Sequence, residues 1–169
     1  MFPAMIPKLN AGTIDEAMEY SAWRFLRRAE MLYIHCVEKS SVSSMNKYWI
    51  VGIGGFVGAI ARFWLGGFIS DRLGARFPYG TFVINISGSF LIGLVVTLLA
   101  ERTHWNANWR YLIPIGFIGA YTTFSTFELE TFQSLRDGEL LFAFLNVTLS
   151  VVLGFIAVWL GVITGRTLG

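Results

Sequence analysis

Residues 111–132 read Tyr-Leu-Ile-Pro-Ile-Gly-Phe-Ile-Gly-Ala-Tyr-Thr-Thr-Phe-Ser-Thr-Phe-Glu-Leu-Glu-Thr-Phe. A helix that crosses a bilayer needs about 20 mostly apolar residues, and this stretch has that length. Its middle, however, is the polar run Tyr121-Thr-Thr-Phe-Ser-Thr-Phe127, followed by Glu128 and Glu130. Gly119 and the Ser/Thr cluster are weak helix formers, and hydroxyl side chains compete for backbone groups. Two readings stay open. The helix is continuous and its hydroxyls bond back to their own carbonyls, or it breaks near the bilayer midplane. Non-helical backbone at that depth survives only when protein covers it or a cavity hydrates it. In that case the freed carbonyl oxygens, pointing together, form a cation site. Phe124 and Phe127 are three apart on the same segment. A phenyl ring has a positive edge, so edges turned inward offer an anion weak, uncharged stabilisation, whereas rings turned outward only pack.

Three further stretches on either side qualify as spans: Tyr48 to Ile69, Tyr79 to Ala100 and Leu140 to Thr164. With Tyr111 to Phe132 they predict an all-α membrane protein of four transmembrane helices, the third broken near the midplane. Composition agrees. Of 169 residues, 54% are apolar and 14% charged, where soluble domains carry roughly a quarter charged residues. The connections are short and polar: 70–78, 101–110 and 133–139. Trp49, Trp105, Trp109 and Tyr111 fall near span ends, where aromatic belts lie. Pro78 precedes the second span and Pro114 lies in the first turns of the third, positions that tolerate proline.

Lipid satisfies no polar group, so polar residues within spans need protein partners or water. Thr81, Asn85 and Ser89 share one face of the second helix, and Asn146 and Ser150 one face of the fourth, because residues four apart are neighbours. Such stripes are either interhelical hydrogen-bond glue or a polar permeation track. Ser87 and Thr148 add further hydroxyls. Arg62 lies seven residues from the end of its span, ~10 Å at helical rise, within snorkelling reach of the interface. A structural or electrostatic role there is favoured over direct transport. Gly54 and Gly58, Ser89 and Gly93, and Gly161 and Gly165 are small-xxx-small pairs that predict tight helix packing.

Charge divides the chain at Met45. Residues 1–44 hold 5 Lys/Arg and 5 Asp/Glu, while the much longer 45–169 holds 8 and 6. The extension has no run long enough to span. A mixed helix from Thr13 to Val37 and a polar linker, 38–44, are expected, either as an amphipathic tail or as residues upstream of a natural start at Met45. With the N-terminus inside and counting from Met45, Lys47, Arg102, Arg110 and Arg166 are inside, and Arg72, Arg76 and Arg136 outside. Four against three is almost no bias under the rule that sets orientation, so dual topology and an antiparallel homodimer are expected. A net charge of +2 gives no sign of a nucleic-acid partner. Cys36 stands alone, and His35 and His104 fall outside the spans, a poor start for a metal site. No nucleophile with a nearby base and no phosphate loop is visible, so an enzyme is the reading least supported.

Three motifs together resemble one family. Gly54-Gly-Phe-Val-Gly-Ala-Ile-Ala-Arg-Phe63, Gly80-Thr-Phe-Val-Ile-Asn-Ile-Ser-Gly-Ser-Phe-Leu-Ile-Gly93 and Gly116-Phe-Ile-Gly-Ala-Tyr-Thr-Thr-Phe-Ser-Thr-Phe127 are similar to the first three helices of the bacterial fluoride channels, CrcB or Fluc. The resemblance covers Met45 to Gly169. It implies a passive, fluoride-selective channel of the bacterial inner membrane, built as an antiparallel dimer with two pores, that lets accumulated fluoride leave the cytoplasm. It also implies a structural sodium ion at the dimer centre, held by backbone carbonyls at the positions of Gly119 and Thr122. Phe124, Phe127 and Asn85 match pore residues. Thr81, Ser125, Thr126 and, less securely, Ser150 belong to the same polar set, with Thr123 in the same segment. Glu130 resembles an acidic position near one pore end. A small multidrug-type transporter would need an acidic residue in its first helix, and here that span has Arg62 instead. A non-transporting assembly protein leaves Thr-Thr-Phe-Ser-Thr-Phe unexplained.

Overall fold

A computed structural model describes residues 44–74, 76–101, 106 and 108–169. The expected helix over Thr13–Val37, the polar linker up to residue 43, and Arg102, His104 and Trp105 lie outside the described residues. All described secondary structure is helical: α1 (Ser44–Leu73), α2 (Tyr79–Glu101), a composite third segment, and a last helix over Leu140–Leu168. The third segment begins with a single turn, α3 (Asn108–Arg110), then π-helical turns over Tyr111–Ile118 and a second short turn, α4 (Gly119–Tyr121). After two extended residues it resumes as α5 (Phe124–Arg136), and the last helix is α6. Among the described residues three helices are long and apolar enough to cross a membrane: Asn46–Leu73, Tyr79–Glu101 and Leu140–Leu168.

Large apolar side chains point outward from these helices. Phe63 is 85% exposed and Phe155 75%, a surface that suits lipid and would be a liability in water. Besides a few large apolar residues such as Ile84 and Leu99, the buried residues are mostly small or polar, among them Gly88, Gly93, Gly154, Gly161 and Asn146. That inversion follows from the solvent. Lipid tails are as apolar as Leu, so helices associate by close packing and hydrogen bonds rather than by hiding apolar area.

Close packing is concentrated at two crossings, both marked by the small-residue pairs. Where α2 meets α6, a Cβ on Gly93 would strike the Val158 carbonyl, and one on Gly161 the Phe90 carbonyl. Where α1 meets the π-helical turns, a Cβ on Gly54 would strike the Leu112 carbonyl, and one on Gly58 the Phe117 carbonyl. The π geometry has its cause in Pro114. Proline has no N–H to give to the preceding turn and its ring crowds the carbonyl four residues back. The turn widens, and the Gly119 N–H reaches the Pro114 carbonyl five residues back as well as that of Gly116. Sequence reading placed Pro114 as a tolerated early-turn residue; it is the residue around which the helix is wound wide.

The loop after α1 is held by Phe77, 6% exposed, which packs against Tyr79, Phe82 and Phe142. Arg76 adds an ion pair to Glu139 at 3.4 Å on the exposed side, worth little by comparison.

Gly161→Ala tests the α2–α6 crossing. Overpacking of a tight contact costs about 1–3 kcal/mol, and thermal unfolding in detergent micelles should show the variant destabilised by that amount. Unchanged unfolding would mean that the crossing is looser than described.

Candidate functional site

The third segment breaks at Thr122 and Thr123. Thr122 has φ −80° and ψ 157°, and Thr123 φ −149° and ψ 120°, both extended. Of the two readings open from sequence, the chain adopts the broken one, although the Thr122 hydroxyl also bonds back to the Ile118 carbonyl at 3.0 Å. A helix end leaves its last four carbonyls without intrahelical partners, so the break frees the carbonyls of Gly119 through Thr122.

Asn85 holds the break from the opposite helix. Its Nδ2 donates to the Thr123 carbonyl at 3.0 Å, and its Oδ1 accepts from the Thr123 N–H at 2.9 Å. The side-chain amide thus pairs with the peptide groups of Thr123 as a neighbouring strand would. One Nδ2 hydrogen remains for another acceptor. Arg62 reaches the same turn, its Nη1 donating to the Thr122 carbonyl at 3.5 Å. The partner of this intramembrane cation is therefore a peptide oxygen freed by the break. Tyr121, buried just before the break, shares a hydroxyl hydrogen bond with Ser87 at 2.9 Å and stacks on Phe117. Gly88 admits the break to α2, since a Cβ there would strike Thr122 Cγ2. On the far side Thr123 caps α5: its hydroxyl accepts from the Thr126 N–H at 3.4 Å and donates to the Thr126 hydroxyl at 3.0 Å.

Beside the break lies a cavity of 390 Å³. Asn85, Gly119, Thr122, Phe124, Phe127 and Ser150 all line it, joined by Ser89, which shares the Asn85 stripe, and by Pro114, read from sequence only as a tolerated proline. Phe124 and Phe127 stand 5.8 Å apart between ring centroids at 37°. Thr81, Ser125 and Thr126 do not line the cavity. Thr81 donates its hydroxyl to Glu130 Oε1 at 2.9 Å, Ser125 is exposed, and Thr126 belongs to the cap. Behind Ser150 runs a relay: the Ser150 hydroxyl donates to Asn146 Oδ1 at 3.4 Å, Asn146 Nδ2 to Thr131 Oγ1 at 2.8 Å, and the Thr131 hydroxyl to the Phe127 carbonyl at 2.8 Å. The i, i+4 spacing of Asn146 and Ser150 signalled their contact; Thr131, on another helix, gave no such signal.

The lining carries hydroxyls, one amide and phenyl rings, and no Asp, Glu, Lys or Arg. Such a surface can shed part of an ion's water and replace it with dipoles without binding a charge tightly. No group of three or more His, Cys, Asp or Glu able to hold a metal occurs among the described residues.

Fold and site together define a multi-pass helical membrane protein with an uncharged polar cavity at a broken helix. The chain belongs to the CrcB family: the family model described as CrcB-like protein, Camphor Resistance (CrcB), matches residues 49–162. Among its relatives is a "Fluoride-specific ion channel FluC" of Acidobacterium capsulatum, 52% identical over 120 residues, which are 71% of this chain and 96% of the relative. Proteins of the same name from Solibacter usitatus and Geotalea daltonii are 48% and 46% identical, over 71% and 72% of this chain and 98% of each relative.

Replacing Asn85 with Leu leaves the Thr123 N–H and carbonyl unpaired. Each lost partner costs about 1–3 kcal/mol, so Asn85→Leu should unfold in micelles well before the wild-type protein. Equal stability would mean that the break does not depend on the Asn85 amide.

Proposed function

We propose that this chain is a fluoride channel that lets the ion leave the cytoplasm passively across the bacterial inner membrane. The observation that carries the reading is the uncharged donor-and-ring cavity beside the Thr122–Thr123 break, in a chain that matches relatives named fluoride-specific channels. Fluoride is small and strongly hydrated. Its water is offset piecemeal by the free Asn85 hydrogen, by hydroxyls and by the ring edges of Phe124 and Phe127. None of these is a full charge, so the ion can leave again. Thr81, Ser125 and Thr126 lie off the cavity and would serve its entrance or its frame.

In this reading the composite segment over Asn108–Arg136 crosses the membrane as a fourth span, because the broken backbone is sheltered by α1 and α2 and wetted by the cavity. Two copies assemble antiparallel. The near-equal basic residues at the two ends of the bundle support that arrangement, and Phe124, 70% exposed in one copy, would be covered by the second. A sodium ion fits the freed backbone. Gly119 and Thr122 carbonyls lose their helical partners at the break, and the Arg62 contact with Thr122 already makes that oxygen a binder of positive charge. One copy offers few such oxygens and a pair would offer twice as many. The ion's contribution would be to hold the carbonyl dipoles together. Residues 1–44 precede the matched region and are a dispensable extension to the channel domain, 45–169.

Purified protein in liposomes, followed with a fluoride electrode, tests the function. Fluoride should leave rapidly while chloride stays, and Phe124→Ile should cut fluoride flux by at least about tenfold in protein that still assembles, as loss of one well-placed stabilising contact would. Flux of both anions alike, or an undiminished Phe124→Ile, would contradict the reading.

A further inference from the structure

The direction of every hydrogen bond behind Ser150 follows from chemistry. Thr131 has one hydroxyl hydrogen, and the Phe127 carbonyl, 2.8 Å away, can only accept it. Towards Asn146 the Thr131 oxygen is therefore an acceptor, and the group facing it at 2.8 Å must be the amide Nδ2. That orientation turns the amide oxygen to Ser150 at 3.4 Å. An amide oxygen cannot donate, so the single Ser150 proton points to Asn146 and away from the cavity that Ser150 lines. What Ser150 shows the cavity is lone pairs, the wrong polarity for an anion.

We infer that Asn146, backed by Thr131, is a positioning residue that holds the Ser150 proton out of the cavity and so sets how tightly the cavity grips an anion. The inference rests on the fluoride reading above. For Ser150 to serve fluoride, its hydroxyl must rotate inward. The bond it breaks is the longest of the three links, and hydrogen bonds weaken with length. The rotation leaves Asn146 Oδ1 without its donor in a residue only 1% exposed, and an unpaired buried acceptor is unfavourable. Asn146 thus competes with the anion for one proton. The competition keeps the Ser150 site weak, which conduction requires: an ion held too firmly does not leave.

Two substitutions release the proton by different routes. Asn146→Leu removes the acceptor. Thr131→Val, outside the cavity and close to isosteric, removes the oxygen that orients the amide. Asn146 is then free to turn Nδ2 to the Ser150 oxygen, and the proton swings inward.

The test is fluoride flux through reconstituted protein as a function of fluoride concentration. Both variants should lower the half-saturating concentration about fivefold, the change in a binding constant that one ordinary hydrogen bond is worth, and should lower maximal flux as release slows. In a Ser150→Ala background neither should shift it. A purely structural role would reduce maximal flux in every background without tightening half-saturation. Should Asn146→Leu fail to fold, Thr131→Val decides alone. An unmoved or raised half-saturation in Thr131→Val, or a shift that persists with Ser150→Ala, overturns the inference while wild-type fluoride flux keeps the channel reading intact. No fluoride flux from the wild-type protein overturns both.

Discussion

Two hydrogen bonds between one side-chain amide and the backbone N–H and carbonyl of one residue hold the centre of this molecule. Extended backbone within a membrane helix is costly, because lipid offers nothing to the freed N–H and carbonyl groups. Asn85 meets both polar groups of Thr123, at 3.0 and 2.9 Å, and so makes the break tolerable. The rest is arranged around that contact. Gly88 lets α2 come close enough for Asn85 to reach, Pro114 winds the approach wide, Thr123 caps the helix that follows, and Arg62 covers a freed carbonyl. The cavity beside the break exists because the helix does not continue through it.

The same economy governs the polar side chains of the spans. In water a serine or asparagine can be satisfied anywhere; in lipid each needs a partner, and the partners here are held in chains. Thr81 is taken by Glu130, Ser87 by Tyr121, and Asn146 by Thr131. The readings of glue and of permeation track are therefore not exclusive. Asn85 binds the break with two of its four hydrogen-bonding positions and keeps one N–H and one oxygen lone pair for the cavity, and Ser150 both lines the cavity and closes a relay.

Spans and packing pairs were legible in the sequence because they depend on local composition and spacing. The Tyr48–Ile69, Tyr79–Ala100 and Leu140–Thr164 stretches correspond to α1, α2 and α6, which extend past them by a few residues into polar ends. The small-residue pairs fall at the crossings because only small residues let backbones touch. The Thr-Thr-Phe-Ser-Thr-Phe run gave the break as one of two options, and composition could not choose, since the choice depends on Asn85, 38 positions away in the chain. Spacing likewise put Thr81, Asn85 and Ser89 on one face but not at one depth. Thr81 meets Glu130 while Asn85 and Ser89 line the cavity. Thr131 was passed over because its role arises from a partner on another helix, and Pro114 was read as tolerated because its place in the first turns did not show that the helix winds wide around it.

The proposed fourth span requires the third segment to keep its break at Thr122–Thr123 inside a membrane. Carbon chemical shifts of these residues, measured by solid-state NMR on labelled protein in lipid bilayers, report the backbone conformation directly. Extended-type shifts are expected at Thr122 and Thr123, between helical Tyr121 and helical Phe124. Helical shifts without interruption from Gly119 through Phe127 would contradict the break.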